Sequence, residues 1–150
     1  MNSTSNNSGI AVRDEDGIRT ITFDRADKKN AITEAMWVDL GAAFATAASD
    51  GNCVVLITGA GGSFTAGNDL SDFLEHPPQN EDAAVFRCLL ALAALELPLI
   101  AAVRGPAVGV GTTLLLHCDL VFASPTAKFK VPFVDLGVVP ENASSILMPQ

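Results

Sequence analysis

The sequence holds no tyrosine, a single tryptophan and only two histidines, His76 and His117. A chain without a phenol cannot run the tyrosine-based proton transfer of short-chain dehydrogenases, and two histidines leave little from which to build a metal centre. Cysteine is equally sparse. Cys53, Cys88 and Cys118 are odd in number, far apart and set in apolar surroundings, which excludes a disulfide frame and predicts reduced core thiols. Positive charge is short too: nine Lys and Arg against 17 Asp and Glu give a net charge of −8. Nucleic acid or an anionic membrane surface as main partner needs a basic face, so neither is expected. The apolar tract from Val85 to Phe122 is broken by Glu96, Pro98, Arg104, Pro106, His117 and Asp119, so no window of about 18 uncharged apolar residues exists to span a bilayer. Residues 1–9 form a polar stretch without an apolar signal region, read as a disordered tail on a cytoplasmic protein.

What the chain does have is apolar mass: 150 residues with 49% hydrophobic content suffice for one domain, taken as residues 10–150. Ile10–Arg13 and Ile18–Phe23 flank Asp16-Gly17, a hairpin signal. Thr33 and Glu34 open a helix to about Ser49, with Met36, Leu40, Ala43, Phe44 and Ala47 on one stripe. Cys53–Thr58 and Leu97–Val103 read as buried strands, separated by a short helix over Asp69–Leu74 and a longer one over Glu81–Leu95. Gly105-Pro106 turns the chain, Gly109–Leu116 is helical, Asp119–Ala123 returns as a strand, and short strands are expected near 128–130 and 134–136. Ala143–Gln150 reads as the start of a helix with no stop signal, which suggests the front part of a longer polypeptide. Strand, strand, helix, repeated, is an α/β layout.

Two loops and one acid stand out. The strand ending in Gly59-Ala-Gly-Gly62 invites a dinucleotide-binding reading, but the third glycine of that fingerprint falls on Phe64, no helix starts there and no acid closes a strand some 20 residues on. The same loop continues through Phe64-Thr-Ala-Gly-Asn-Asp-Leu70, where Gly67 permits close backbone approach and Asp69 can cap the next helix. A second loop, Arg104-Gly-Pro-Ala-Val-Gly-Val-Gly-Thr112, sets small residues at a helix mouth. Each alone is ordinary turn chemistry; together they are two sources of free N–H groups able to polarise one carbonyl. Glu141 follows Val138-Val-Pro140 and precedes Ile146-Leu-Met148, so it is either a desolvated carboxyl of raised pKa or the acid of a helix's first turn.

In order and spacing, Phe64–Leu70, Pro98–Gly111, Cys118–Ala123 and Phe129–Glu141 resemble the enoyl-CoA hydratase/isomerase, or crotonase, family, and Asp24–Ile32 is similar to the family's early loop beside the coenzyme A site. The resemblance implies a crotonase-like spiral of repeated β-β-α units, the family's closing helices lying beyond these 150 residues, and a homotrimer or hexamer for the full-length chain. It implies an acyl-CoA thioester as substrate, with coenzyme A part of that substrate and no separate cofactor. Carried over by position, the backbone N–H groups of Asn68 and Val110 would hold the thioester oxygen. Lys28, Ala66, Gly67, Asp69, Leu70 and Gly109 would line the substrate site.

The family's hydratases use two glutamates, and at those positions this chain has Thr113 and Phe133. Val138–Ser145 is instead similar to the segment of the Δ3,Δ2-enoyl-CoA isomerases that carries their one catalytic glutamate, here Glu141. The resemblance therefore implies a shift of a 3-enoyl-CoA double bond to the 2-enoyl position. Another acyl-CoA reaction of the same fold, hydration or hydrolysis, and a non-catalytic acyl-CoA-binding subunit are the alternatives.

Overall fold

The computed structural model describes residues 2–5 and 8–149. Strands β1 (Asn2–Ser5), β2 (Ile10–Glu15) and β3 (Ile18–Phe23) run antiparallel, with Asp16 and Gly17 both at positive φ in the β2–β3 turn. The tail expectation is thus corrected for Asn2–Ser5, whose backbone pairs with Ala11–Asp14 at the sheet edge; residues 1, 6 and 7 lie outside the described residues. From β3 onward the sheet is parallel, in the order β1-β2-β3-β4-β5-β7, where β4 is Val54–Gly59, β5 Leu99–Val103 and β7 Leu120–Ala123.

A smaller parallel pair joins β6 (Pro106–Val108) to β8 (Lys128–Lys130), and Thr65 bridges to Ala107 beside it. Pro106 opens β6, where its missing N–H costs no ladder bond. Each turn of chain thus adds one strand to the large sheet and one strand or bridge to the small one, which is a coil of β-β-α units.

Alternation decides the core. Ile21 and Phe23 of β3, Val55 and Ile57 of β4, and Leu99, Ala101 and Val103 of β5 are all buried. Helix α1 (Glu34–Thr46) covers them with Met36, Leu40 and Phe44, its N-terminus capped by Thr33 Oγ1 accepting from the Met36 N–H. Helix α3 (Ala84–Ala93) lies so close on α1 that a Cβ on Gly41 would sit 3.1 Å from the Cys88 Cα. Arg19, 4% exposed, ties the sheet to the end of α1 by bonds to Asp14, Asp50, the Ala43 carbonyl and Thr46.

Helix α2 (Leu70–Glu75) starts at the expected cap, and α4 (Val110–Thr113) runs into a 3-10 turn over Leu114–His117. The strand expected at 134–136 is instead helix α5 (Phe133–Leu136), because Gly137 at φ 65° closes it with its N–H on the Phe133 and Val134 carbonyls. Helix α6 is Ser144–Leu147. Cys88 is a core thiol, with burial pushing its pKa up to about 12, whereas Cys53 is exposed, so the core reading fails there. Past β6, large apolar side chains face outward: Leu120, Phe122, Phe129, Val134, Val139 and Ile146 are all exposed.

Candidate active site

Both glycine-bearing loops leave the C-terminal ends of neighbouring parallel strands, one after β4 and one after β5, which is where open α/β sheets present their ligands. The fold brings them into contact. A Cβ on Gly67 would lie 2.7 Å from the Val108 carbonyl oxygen, and one on Gly111 2.4 Å from the Thr65 methyl. Gly67 has φ +87°, a conformation glycine alone adopts without cost.

The backbone pattern then fixes which amides stay unused. Ile32 bridges in parallel to Asn68, donating its N–H to the Gly67 carbonyl at 2.8 Å while its own carbonyl accepts from Asp69 N–H at 2.9 Å. A parallel bridge employs the groups on either side of the central residue, so the Asn68 N–H points away from Ile32. At the second loop, the Gly109 carbonyl accepts from Thr112 and Thr113 while Val110, first residue of α4, has its N–H at the open helix end. Among the described residues, neither the Asn68 nor the Val110 N–H donates to a protein acceptor.

Neighbouring residues hold this arrangement. Asn30, fully buried and left-handed at φ 58°, donates its side-chain amide to the Ala60, Ser63 and Phe64 carbonyls and accepts from the Arg25 N–H. Ala66 N–H donates to the Lys29 carbonyl at 2.9 Å, so the exposed Lys28 lies in the turn beside the Ala66–Asn68 loop. Asp69 caps α2 and pairs with Arg25 at 2.6 Å; Ser71 first, then Arg25, hold its carboxyl well below the usual range. Leu70 is 61% exposed at the start of α2, and Gly109 is half-buried. The Asn68 side chain accepts from Trp37 Nε1 at 3.1 Å. Asn30, Arg25 and Trp37 escaped the sequence reading; only the Lys-Lys-Asn turn, with an asparagine that tolerates left-handed backbone, hinted at the first.

Glu141 is half-buried, and burial alone raises its pKa. It lies outside any helix, three residues before α6, so the first-turn reading of this acid falls away. The approach differs from expectation: Val138 and Val139 are exposed, because α5 and its Gly137 cap turn them outward, so the desolvation comes from the surface on which the segment lies. Beside it, Asn142 Nδ2 and Ser144 Oγ are buried without a hydrogen-bond partner among the described residues. Such groups cost roughly 1–3 kcal/mol each when nothing meets them. Asn142 and Ala143 are both left-handed. The segment is tied to the end of the α4 run, where His117 Nε2 meets the Asn142 carbonyl at 3.1 Å. The two hydratase positions hold no acid: Thr113 is fully buried with its hydroxyl on the Val110 carbonyl, and Phe133 begins α5.

The model of the family described as enoyl-CoA hydratase/isomerase matches residues 13–150. The chain belongs to the enoyl-CoA hydratase/isomerase family. It is 40% identical over 148 residues to enoyl-CoA delta isomerase 2 of Rattus norvegicus, covering 95% of this chain and 38% of that protein. It is 36% identical to peroxisomal enoyl-CoA delta isomerase 3 of Mus musculus, covering 94% and 46%. The structure of Pseudomonas aeruginosa OdaA superposes with a TM-score of 0.90 at 52% identity, over 94% of this chain and 57% of that one. The family member therefore has the crotonase fold and spans about half the length of these relatives. No helix of its described residues is long and apolar enough to cross a membrane.

Proposed function

We propose that the protein moves the double bond of a 3-enoyl-CoA thioester to the 2-enoyl position. In this reading the thioester oxygen accepts from the Asn68 and Val110 N–H groups. Polarisation acidifies C2, the Glu141 carboxylate takes a C2 proton, and the negative charge spreads over a dienolate whose oxygen stays on the two amides. Glu141, now neutral, returns the proton to C4. One proton leaves and one arrives, so no water or redox partner enters the balance. Ala66 and Gly67 with Asp69, Leu70 and Gly109 frame the acyl-CoA, and Lys28 reaches toward its phosphates.

The observation that carries this reading is a lone half-buried acid of raised pKa, Glu141, with no second carboxylate at Thr113 or Phe133. One base suffices for a proton shuttle, while addition of water uses two. A carboxylate whose pKa is raised by burial is also the stronger base for taking the C2 proton. A trimer or hexamer belongs to the same proposal and is read by light scattering.

The test is to mix the protein with a 3-enoyl-CoA and follow conjugation in the ultraviolet. Wild-type protein produces the 2-enoyl product, and Glu141→Gln binds the substrate with nearly unchanged affinity but turns none over. Undiminished turnover in Glu141→Gln rules the assignment out.

A further inference from the structure

The segment bearing Glu141 is held to the body of the protein in an unusually sparse way. Among the described residues from Val131 to Pro149, one hydrogen bond reaches a residue before Lys128, and it is His117 Nε2 to the carbonyl of Asn142, the residue next to Glu141. The other bonds of this stretch are internal or made with Lys130, as in the Lys130–Asp135 ion pair at 3.1 Å. His117 ends the helical run that Val110 begins, so one eight-residue stretch carries an unused amide at its first residue and the tether of the acid at its last.

We propose that His117 is a positioning residue: its ring locks the turn at Asn142 and thereby fixes where the Glu141 carboxylate stands relative to the Val110 amide. This rests on the isomerase reading above. A carbonyl only accepts, so Nε2 carries the proton in this contact. Asn142 and Ala143 both sit in left-handed backbone, a conformation that needs support from outside the turn, and the ring supplies it. Charges around the ring come from Glu96, which follows α3, and Asp119, which precedes β7, both lining the cleft with His117. Neither contributes to the shift of Glu141, which burial alone causes.

The experiment compares wild type, His117→Ala and His117→Gln in the 3-enoyl-CoA assay across pH, since glutamine offers an amide N–H at similar reach. Removing the tether is expected to lower kcat roughly tenfold or more with KM within about twofold, because a misplaced base costs rate rather than binding. The limb of the kcat–pH profile that reports Glu141 is expected to move to lower pH as the freed carboxyl meets water. Proteolytic cleavage within 131–149 should quicken in His117→Ala, and His117→Gln should restore all three readouts. Wild-type kcat with an unmoved limb in His117→Ala, while Glu141→Gln is dead, overturns the role of His117 alone. Turnover surviving in Glu141→Gln overturns both. Failure of His117→Gln to recover rate, although it regains wild-type resistance to cleavage, also sinks the proposal.

Discussion

Replacing Gly67 by alanine tests the contact on which the two loops depend. The added Cβ would stand 2.7 Å from the Val108 carbonyl oxygen, about 0.7 Å inside the 3.4 Å at which ordinary contact begins. The obstacle is backbone, so no side chain can swing aside, and the loops must part by several tenths of an ångström. Alanine at φ +87° adds strain of roughly 1–3 kcal/mol. Two consequences separate the structural cost from the chemical one. Stability should fall by roughly 1–3 kcal/mol, read from urea midpoints. Turnover of 3-enoyl-CoA should fall by roughly 10²-fold at temperatures where the variant is still folded, because donors displaced by a fraction of an ångström no longer meet the oxyanion squarely. A folded Gly67→Ala protein with wild-type kcat would show that the contact does not set the geometry of the amides, and the reasoning would fail there.

Asn30→Ala strips donors from the Ala60, Ser63 and Phe64 carbonyls and an acceptor from the Arg25 N–H, so chemical denaturation should report a loss of roughly 3–5 kcal/mol; a loss below about 1 kcal/mol contradicts its central place. Acid should destabilise the fold. Asp14 is held low by Arg19, and Asp69 by Ser71 and Arg25, so their contribution is complete above about pH 4, where the unfolded carboxylates ionise, and disappears as pH falls through the depressed values. A urea midpoint that stays flat from pH 5 to pH 2 would be inconsistent with this. Glu141 has the opposite sign: its folded pKa is raised, so its contribution is full below about pH 4.3 and lost as pH rises through the raised value. Glu141→Gln should therefore raise the thermal midpoint at pH 7 while turnover vanishes, and a lowered midpoint would count against a desolvated acid.

The regular elements were readable because their patterns are local. The Asp16-Gly17 turn, the α1 stripe ending near Ser49 and the apolar runs of β4 and β5 each carry their own signal, and all four are present within a few residues of expectation. Where a choice depended on a cap, the reading slipped: Val134–Leu136 alternates like a strand, yet Gly137 closes it as a helical turn. The site divides the same way. Small residues announced the loops, whereas the acidity of Glu141 shifts in the expected direction for a different reason, since the apolar neighbours Val138, Val139 and Ile146 face outward and burial against the body of the protein raises it. Asn30, Trp37 and His117 went unseen because their work is done across 30, 31 and 25 residues of sequence respectively, and no spacing rule reaches that far.

The neighbouring parallel strands β4 and β5 are spaced by roughly 4.8 Å, as in any sheet, and the loops at their ends inherit that interval. The pair of main-chain hydrogens is accordingly a by-product of how the coil is wound, insensitive to which side chains decorate it, whereas the acid rides on a thinly fastened flap. Under the proposed isomerase reading, such a division of labour lets the proton-handling group be exchanged, or moved along the chain, without rebuilding the part that would grip the carbonyl.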